Sequence, residues 1–159
     1  MTIKRLPLLV ALLCALRVNA QSVAGDDLYY AGSMAYYEER YDDAAQCFRK
    51  ALAADPDDAF STAYLGATLL KLGDKDQALS LLQKGIDMLP PDNFDYEVWA
   101  RDQITDVYLA KRDTVAALAN MAKILDMPLT NEQQLDISVR YGTYFYKLGE
   151  RTPALKLFR

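Results

Sequence analysis

One arrangement of small, bulky and alanine residues occurs four times along this chain. Its anchors are Gly32, Gly66, Thr105 and Gly142. Three residues after each anchor stands Ala35, Leu69, Tyr108 or Phe145. Twelve after each comes Ala44, Ala78, Ala117 or Ala154, and four beyond that Phe48, Leu82, Met121 or Phe158. Self-similarity of this length marks a solenoid, in which each unit buries its apolar face against the next.

Within a unit the apolar spacing is helical. Leu28, Ala31, Gly32 and Ala35 lie at i, i+3, i+4 and i+7, the stripe of a core-facing helix. Ala44, Phe48 and Ala51 form a second stripe, and Glu39-Arg40-Tyr41-Asp42 between them leaves room only for a tight antiparallel turn. Each unit therefore reads as a helical hairpin. Asp74 with Gln77, and Thr130 with Gln133, have capping-box spacing. Gly73 and Gly149 stand where a helix C-cap needs glycine. Pro56, Pro90 and Pro128 stop the second helices, and Asp57-Asp58 places negative charge at the start of the next one.

These residues resemble the tetratricopeptide repeat family, whose 34-residue period carries the pattern W-x2-L-G-x2-Y…A-x3-F…P. Ala44 to Ala78 and Pro56 to Pro90 both span 34 residues. Ala31-Gly32, Ala35, Ala44, Phe48, Ala51 and Pro56 fall on the motif in unit one; Leu65-Gly66, Leu69, Ala78, Leu82, Gly85 and Pro90 do so in unit two. Units three and four are longer, with insertions at residues 91–95 and 128–131. Unit three departs most, having Thr105 for glycine and Arg101 at the aromatic position. The resemblance implies an all-α solenoid of antiparallel helix pairs, wound as a right-handed superhelix. Its repeats cover about residues 25–58, 59–92, 98–130 and 135–159. The last is incomplete, since the sequence stops at Arg159 early in a second helix. The expectation is that the natural protein continues, or that this stacking face is covered by a partner or by self-association.

The first twenty residues form a separate segment. Lys4 and Arg5 precede an apolar run from Leu6 to Leu16, and Val18-Asn19-Ala20 follows. This is the make-up of a secretory signal peptide cleaved after Ala20, leaving residues 21–159 as the repeat domain. The run is short for a membrane span. Leu13 before Cys14 is too bulky for a lipoprotein signal. Export points to the periplasm of a bacterium with an outer membrane. Cleavage removes Lys4, Arg5 and Arg17, leaving 15 basic and 22 acidic residues, a formal charge of −7. That balance disfavours nucleic acid and anionic membrane as partners. Cys47 is then the one remaining cysteine, read as a buried small hydrophobe, and an internal disulfide is excluded.

The sequence has no histidine, which removes the commonest general base and metal ligand. Neither Asp55, Asp57, Asp58 nor Asp92, Asp95, Glu97 has the spacing of a calcium loop, so both clusters read as caps and solvated turns. No phosphate loop or nucleotide fingerprint is present. The reading is a protein that is not an enzyme and uses no cofactor or metal.

In tetratricopeptide arrays the first helices line a concave groove, and the register assigns that lining here. Unit one supplies Tyr29, Ser33, Tyr36 and Tyr37; unit two Phe60, Ala63, Ala67, Leu70 and Lys71; unit three Trp99, Asp102, Asp106 and Leu109; unit four Asp136, Val139, Thr143, Tyr146 and Lys147. Tyr and Trp are preferred interface anchors, so these aromatics point to a groove for an extended peptide or a helix of a partner protein. Some chaperone-binding members hold a C-terminal carboxylate with Lys, Asn and Arg. Tyr29, Ser33, Ala63, Ala67, Asp102 and Asp106 occupy those places here, and the acids favour a ligand of apolar and basic character. Two alternatives share this sequence: the sensor region of a larger membrane-bound signalling protein or enzyme, and an envelope-assembly adaptor acting as a spacer.

Overall fold

Helix α1 spans residues 25–37 and turns back at once into α2 (Tyr41–Ala54). The pattern repeats as α3 (Ala59–Lys71) with α4 (Lys75–Asp87), and as α5 (Phe94–Ala110) with α6 (Thr114–Leu125), before α7 (Asn131–Lys147). The computed structural model describes residues 25–152, and these form helices and no strand. The signal-peptide reading of residues 1–20, and Ala154 and Phe158 of unit four, lie outside the described residues. The result is an all-α helical-repeat solenoid. Its chain divides into two compact units between Asn93 and Phe94, in the turn after Pro90.

All four hairpins turn in the same way. Seven residues after each anchor the backbone is left-handed: Glu39 (φ 61°), Gly73 (93°), Arg112 (61°) and Gly149 (80°). In each case that residue's N–H donates to the carbonyl three back, and the next N–H to the carbonyl five back. At Gly73 these bonds are Gly73 N to Leu70 O at 3.1 Å and Asp74 N to Leu69 O at 2.9 Å; at Glu39 they are Glu39 N to Tyr36 O at 3.0 Å and Arg40 N to Ala35 O at 2.8 Å. This is the Schellman motif. Glycine marked two of the four turns in the sequence, and Glu39 and Arg112 accept the same conformation at a steric cost.

The motif also corrects one expected cap. Asp74 receives the N–H of Gln77 at 3.1 Å, but the Gln77 amide bonds the Asp74 carboxylate instead of its backbone. The Asp74 N–H is already held by Leu69, so the reciprocal bond cannot form. At α7 the full box is present, with Gln133 N bonded to Thr130 Oγ1 and Thr130 N to Gln133 Oε1.

In the first unit the core is Ala35, Ala44, Phe48, Ala51, Leu65, Leu69, Ala78 and Leu82, all buried. A Cβ on Gly32 would come within 2.7 Å of the Phe48 ring, and one on Gly66 within 2.9 Å of both Leu82 Cγ and Leu82 N. Gly32 and Gly66 are thus the places where the two helices of a hairpin touch. Each large apolar side chain sealed there contributes about 1.5–3 kcal/mol through burial. In the second unit Met121 and Ile124 of α6 cluster with Ile137, Tyr141 and Phe145 of α7. Ala31 departs from its expected place in the core stripe and is exposed. The matching residue of α7, Tyr141, is buried by the preceding hairpin's α6; the described residues place no such hairpin on α1.

Candidate functional site

The first helices of the units carry the candidate lining, and in the first unit its aromatics are occupied with one another. Tyr64 on α3 is the hub. Its ring makes edge contacts with Tyr29 and Tyr36, both with centroids at 5.7 Å, and stacks on Phe48 at 5.5 Å. Tyr29 also meets Phe60 at 6.2 Å. The Tyr37 hydroxyl lies 2.8 Å from that of Tyr64. Burial first, and then the bond to Tyr37, push the Tyr64 phenol well above its ordinary range. The Ser33 hydroxyl donates to Tyr29 O at 2.9 Å. A recess of about 380 Å³ opens between Asp26, Tyr29, Tyr30, Asp58 and Phe60. Asp58 is committed there to capping α3 through Phe60 N.

In the second unit α5 and α7 run side by side and in step, with Asp95 bonded to Gln133 and Asp102 to Arg140. Asp102 is the centre of a polar network. It accepts from the Arg140 guanidinium and, at 2.5 Å, from the Tyr141 hydroxyl. Arg140 also lies over the Tyr141 ring, 4.7 Å from its centroid. Burial, helped by the carboxylates of Asp102 and Asp106, raises the Tyr141 phenol far enough to keep it a donor. Beside this network lies a cleft of about 470 Å³ lined by Leu109, Ala110, Tyr141 and Tyr144, with Asp106, Arg140, Thr143 and Lys147 supplying polar groups. With Arg140 and Asp102 paired to each other, Asp106 and Lys147 are the other charges at its rim, so this stretch is not the acidic groove expected from Asp102 and Asp106. The reason is that Asp102 is neutralised inside the network.

Residues 35–97 match the tetratricopeptide repeat family model. This stretch carries tetratricopeptide repeats. The chain's fold is shared with solved structures of other proteins, among them the following three. MamA superimposes with a TM-score of 0.68 at 19% identity, over 84% of this chain and 74% of that one. YrrB, described as a tetratricopeptide protein with an unusual peptide-binding site, gives 0.61 at 25% identity, over 81% and 63%. The first repeat domain of Spaghetti (RPAP3), bound to an HSP90 peptide, SRMEEVD, gives 0.60 at 17% identity, over 73% and 91%. No curated protein sequence matches the chain.

Within this tetratricopeptide array the expected lining residues part company. Asp106, Leu109, Thr143 and Lys147 come together at the α5–α7 cleft. Tyr29 and Phe60 border the recess of the first unit, and Tyr36 packs on Tyr64. Leu70 is half-buried and Lys71 exposed. Trp99 is half-buried against Tyr96, with centroids 5.1 Å apart. Tyr146 is exposed outside the cleft, as are Asp136 and Val139. Ala63 and Ala67 line no open surface. Both are wholly buried, Ala63 because Gly85 of α4 approaches so closely that a Cβ there would lie 2.7 Å from its own. Tyr64, Arg140, Tyr141 and Tyr144 were not on the expected lining. Their register positions, two before to two after the anchor, border the preceding first helix, and only the packing of α3 on α1 and α7 on α5 brings them to it.

Proposed function

We propose that the chain is a non-catalytic interaction scaffold that holds a peptide or helical segment of a partner protein in the cleft between α5 and α7. The observation that carries this reading is the cleft itself, open, walled by Leu109 and two tyrosines, and rimmed by a few polar groups. Such a mix of apolar wall and sparse polar contacts suits capture of one anchoring side chain and its neighbouring backbone. The peptide-binding site of YrrB and the peptide bound by the RPAP3 repeat domain support the same class of function. With Asp102 and Arg140 paired to each other, Lys147 at the rim suits a ligand that sets a carboxylate beside an apolar anchor.

A displayed random-peptide library panned on the purified chain tests this. Enriched peptides should carry an apolar residue beside an acid, and lose at least tenfold in affinity on Leu109→Glu and on Lys147→Glu. Unchanged binding to both variants, with native circular dichroism, would sink the reading.

The basic start and apolar run of residues 4–20 further support export, with Gln21 as the mature N-terminus. N-terminal sequencing of the chain recovered from an expressing bacterium checks this, and retention of Met1 in the accumulated protein contradicts it.

A further inference from the structure

The pair α5–α7 repeats the register of the pair α1–α3. In both, the residue three before the anchor of the leading helix meets the residue two before the anchor of the following one: Tyr29 with Tyr64, and Asp102 with Arg140. The leading helices also end alike. Tyr37 closes α1 and Ala110 closes α5, each five residues after its anchor, and two residues on the backbone is left-handed at Glu39 or Arg112. The same turn therefore aims the side chains of Tyr37 and Ala110 the same way, toward the following first helix. What stands there differs. Tyr36 and Tyr37 both lay their rings against Tyr64, with centroids at 5.7 and 6.4 Å, and the Tyr37 hydroxyl meets that of Tyr64 at 2.8 Å. At the matching places α5 has Leu109 and Ala110, and there the cleft of about 470 Å³ lies open.

We infer that the anchor this cleft takes is an aromatic side chain of the partner, set against α7 as Tyr37 sets its own ring against α3. The inference rests on the cleft being the binding site, and adds what fills it. Alanine in the place of tyrosine leaves one ring fewer between the two helices, so a ring from outside restores the packing that the first pair has built in. The lining suits a flat π-system. Leu109 and the Ala110 methyl form an apolar wall on α5. On α7 stands the Tyr144 ring, 36% exposed and held edge-on to Phe145 with centroids 5.7 Å apart. Ring pairs attract beyond the area they bury, and a leucine side chain gains none of that. Asp106 and Thr143 at the rim give a phenol hydroxyl or an indole N–H polar neighbours, the part that Tyr64 plays for Tyr37.

Titration of the isotope-labelled chain with N-acetyltyrosinamide, N-acetylphenylalaninamide and N-acetylleucinamide, followed through its backbone amide signals, tests this. The two aromatic amides should shift Leu109, Ala110 and Tyr144 at concentrations roughly fivefold below those the leucine amide needs, since ring pairing adds to burial. Ala110→Tyr supplies the ring from within. Ala110 is exposed at its helix end, so that variant should keep the native helical signal in circular dichroism and lose the shifts. A leucine amide as effective as the aromatic ones overturns the inference, whatever the variant does. So do shifts that persist undiminished in Ala110→Tyr, or that never appear in the native chain. The scaffold reading falls separately: it fails if panned peptides ignore Leu109→Glu, and stands if they depend on Leu109 while carrying aliphatic anchors.

Discussion

The Asn120 side-chain amide donates to Thr105 Oγ1 at 2.8 Å, joining α6 to α5 at the one anchor in the described hairpins that is not glycine. The same amide reaches Arg101 O at 2.6 Å, and Thr105 Oγ1 reaches that carbonyl at 3.1 Å. Arg101, standing where the family has an aromatic, is ion-paired with Glu97 at 2.6 Å. The third hairpin has therefore replaced close helix contact with a buried polar network. Met121, at the register position of Phe48 and Leu82, is buried in the cluster with Ile137, Tyr141 and Phe145 of α7.

Asn120→Ala should lower stability by about 1–3 kcal/mol, because it removes two buried hydrogen bonds. With Thr105→Ala it should form a non-additive pair, coupled by about 1 kcal/mol in a chemical-denaturation cycle. Additive losses would mean that Asn120 acts only through Arg101 O.

The left-handed turns give a test with opposite signs. Glu39→Gly and Arg112→Gly should each stabilise by about 1 kcal/mol, since the side chain strains that backbone. Gly73→Ala should destabilise by a similar amount. Thermal denaturation of the three variants checks the prediction, and a fall in midpoint for Glu39→Gly would contradict it.

Glycine at an anchor should matter more where the clash is with backbone. In Gly66→Ala the new methyl meets Leu82 N at 2.9 Å and Ala78 O at 3.0 Å, so the helices must separate. A net loss of about 1–3 kcal/mol is expected despite alanine's better helix propensity. In Gly32→Ala the nearest atoms all belong to the Phe48 ring. Adding Phe48→Leu should recover part of that loss, whereas Leu82→Ala should recover none at Gly66.

Burial raises Tyr64 and Tyr141 above the ordinary phenol value of about 10. Below that pH both phenols are protonated in the folded and unfolded chain, and stability is unaffected. Above it the unfolded chain loses protons first, so stability falls as pH rises, by up to about 1.4 kcal/mol per pH unit for each phenol. Denaturation midpoints followed from pH 9 upward should drop, and Tyr141→Phe should flatten the decline.

The sequence by itself determined the hairpin period, the small residues at the helix contacts, the glycine turns at Gly73 and Gly149 and the stopping of each second helix. These are local or periodic, set by propensity, caps and the spacing of apolar residues, and such signals survive without knowledge of neighbours. It also placed Asp106, Leu109, Thr143 and Lys147 on the right helices for a shared cleft. Only the tertiary structure decided that Tyr29 and Tyr36 pack on Tyr64, and Phe60 on Tyr29, instead of presenting a common open face. Only it showed that Ala63 is sealed by Gly85, and that Asp102 is spent on Arg140 and Tyr141. In each case the outcome turns on which side chain a neighbouring helix brings within a few ångströms. Register alone assigns a residue to a flank, while charge and free surface depend on what is packed against it.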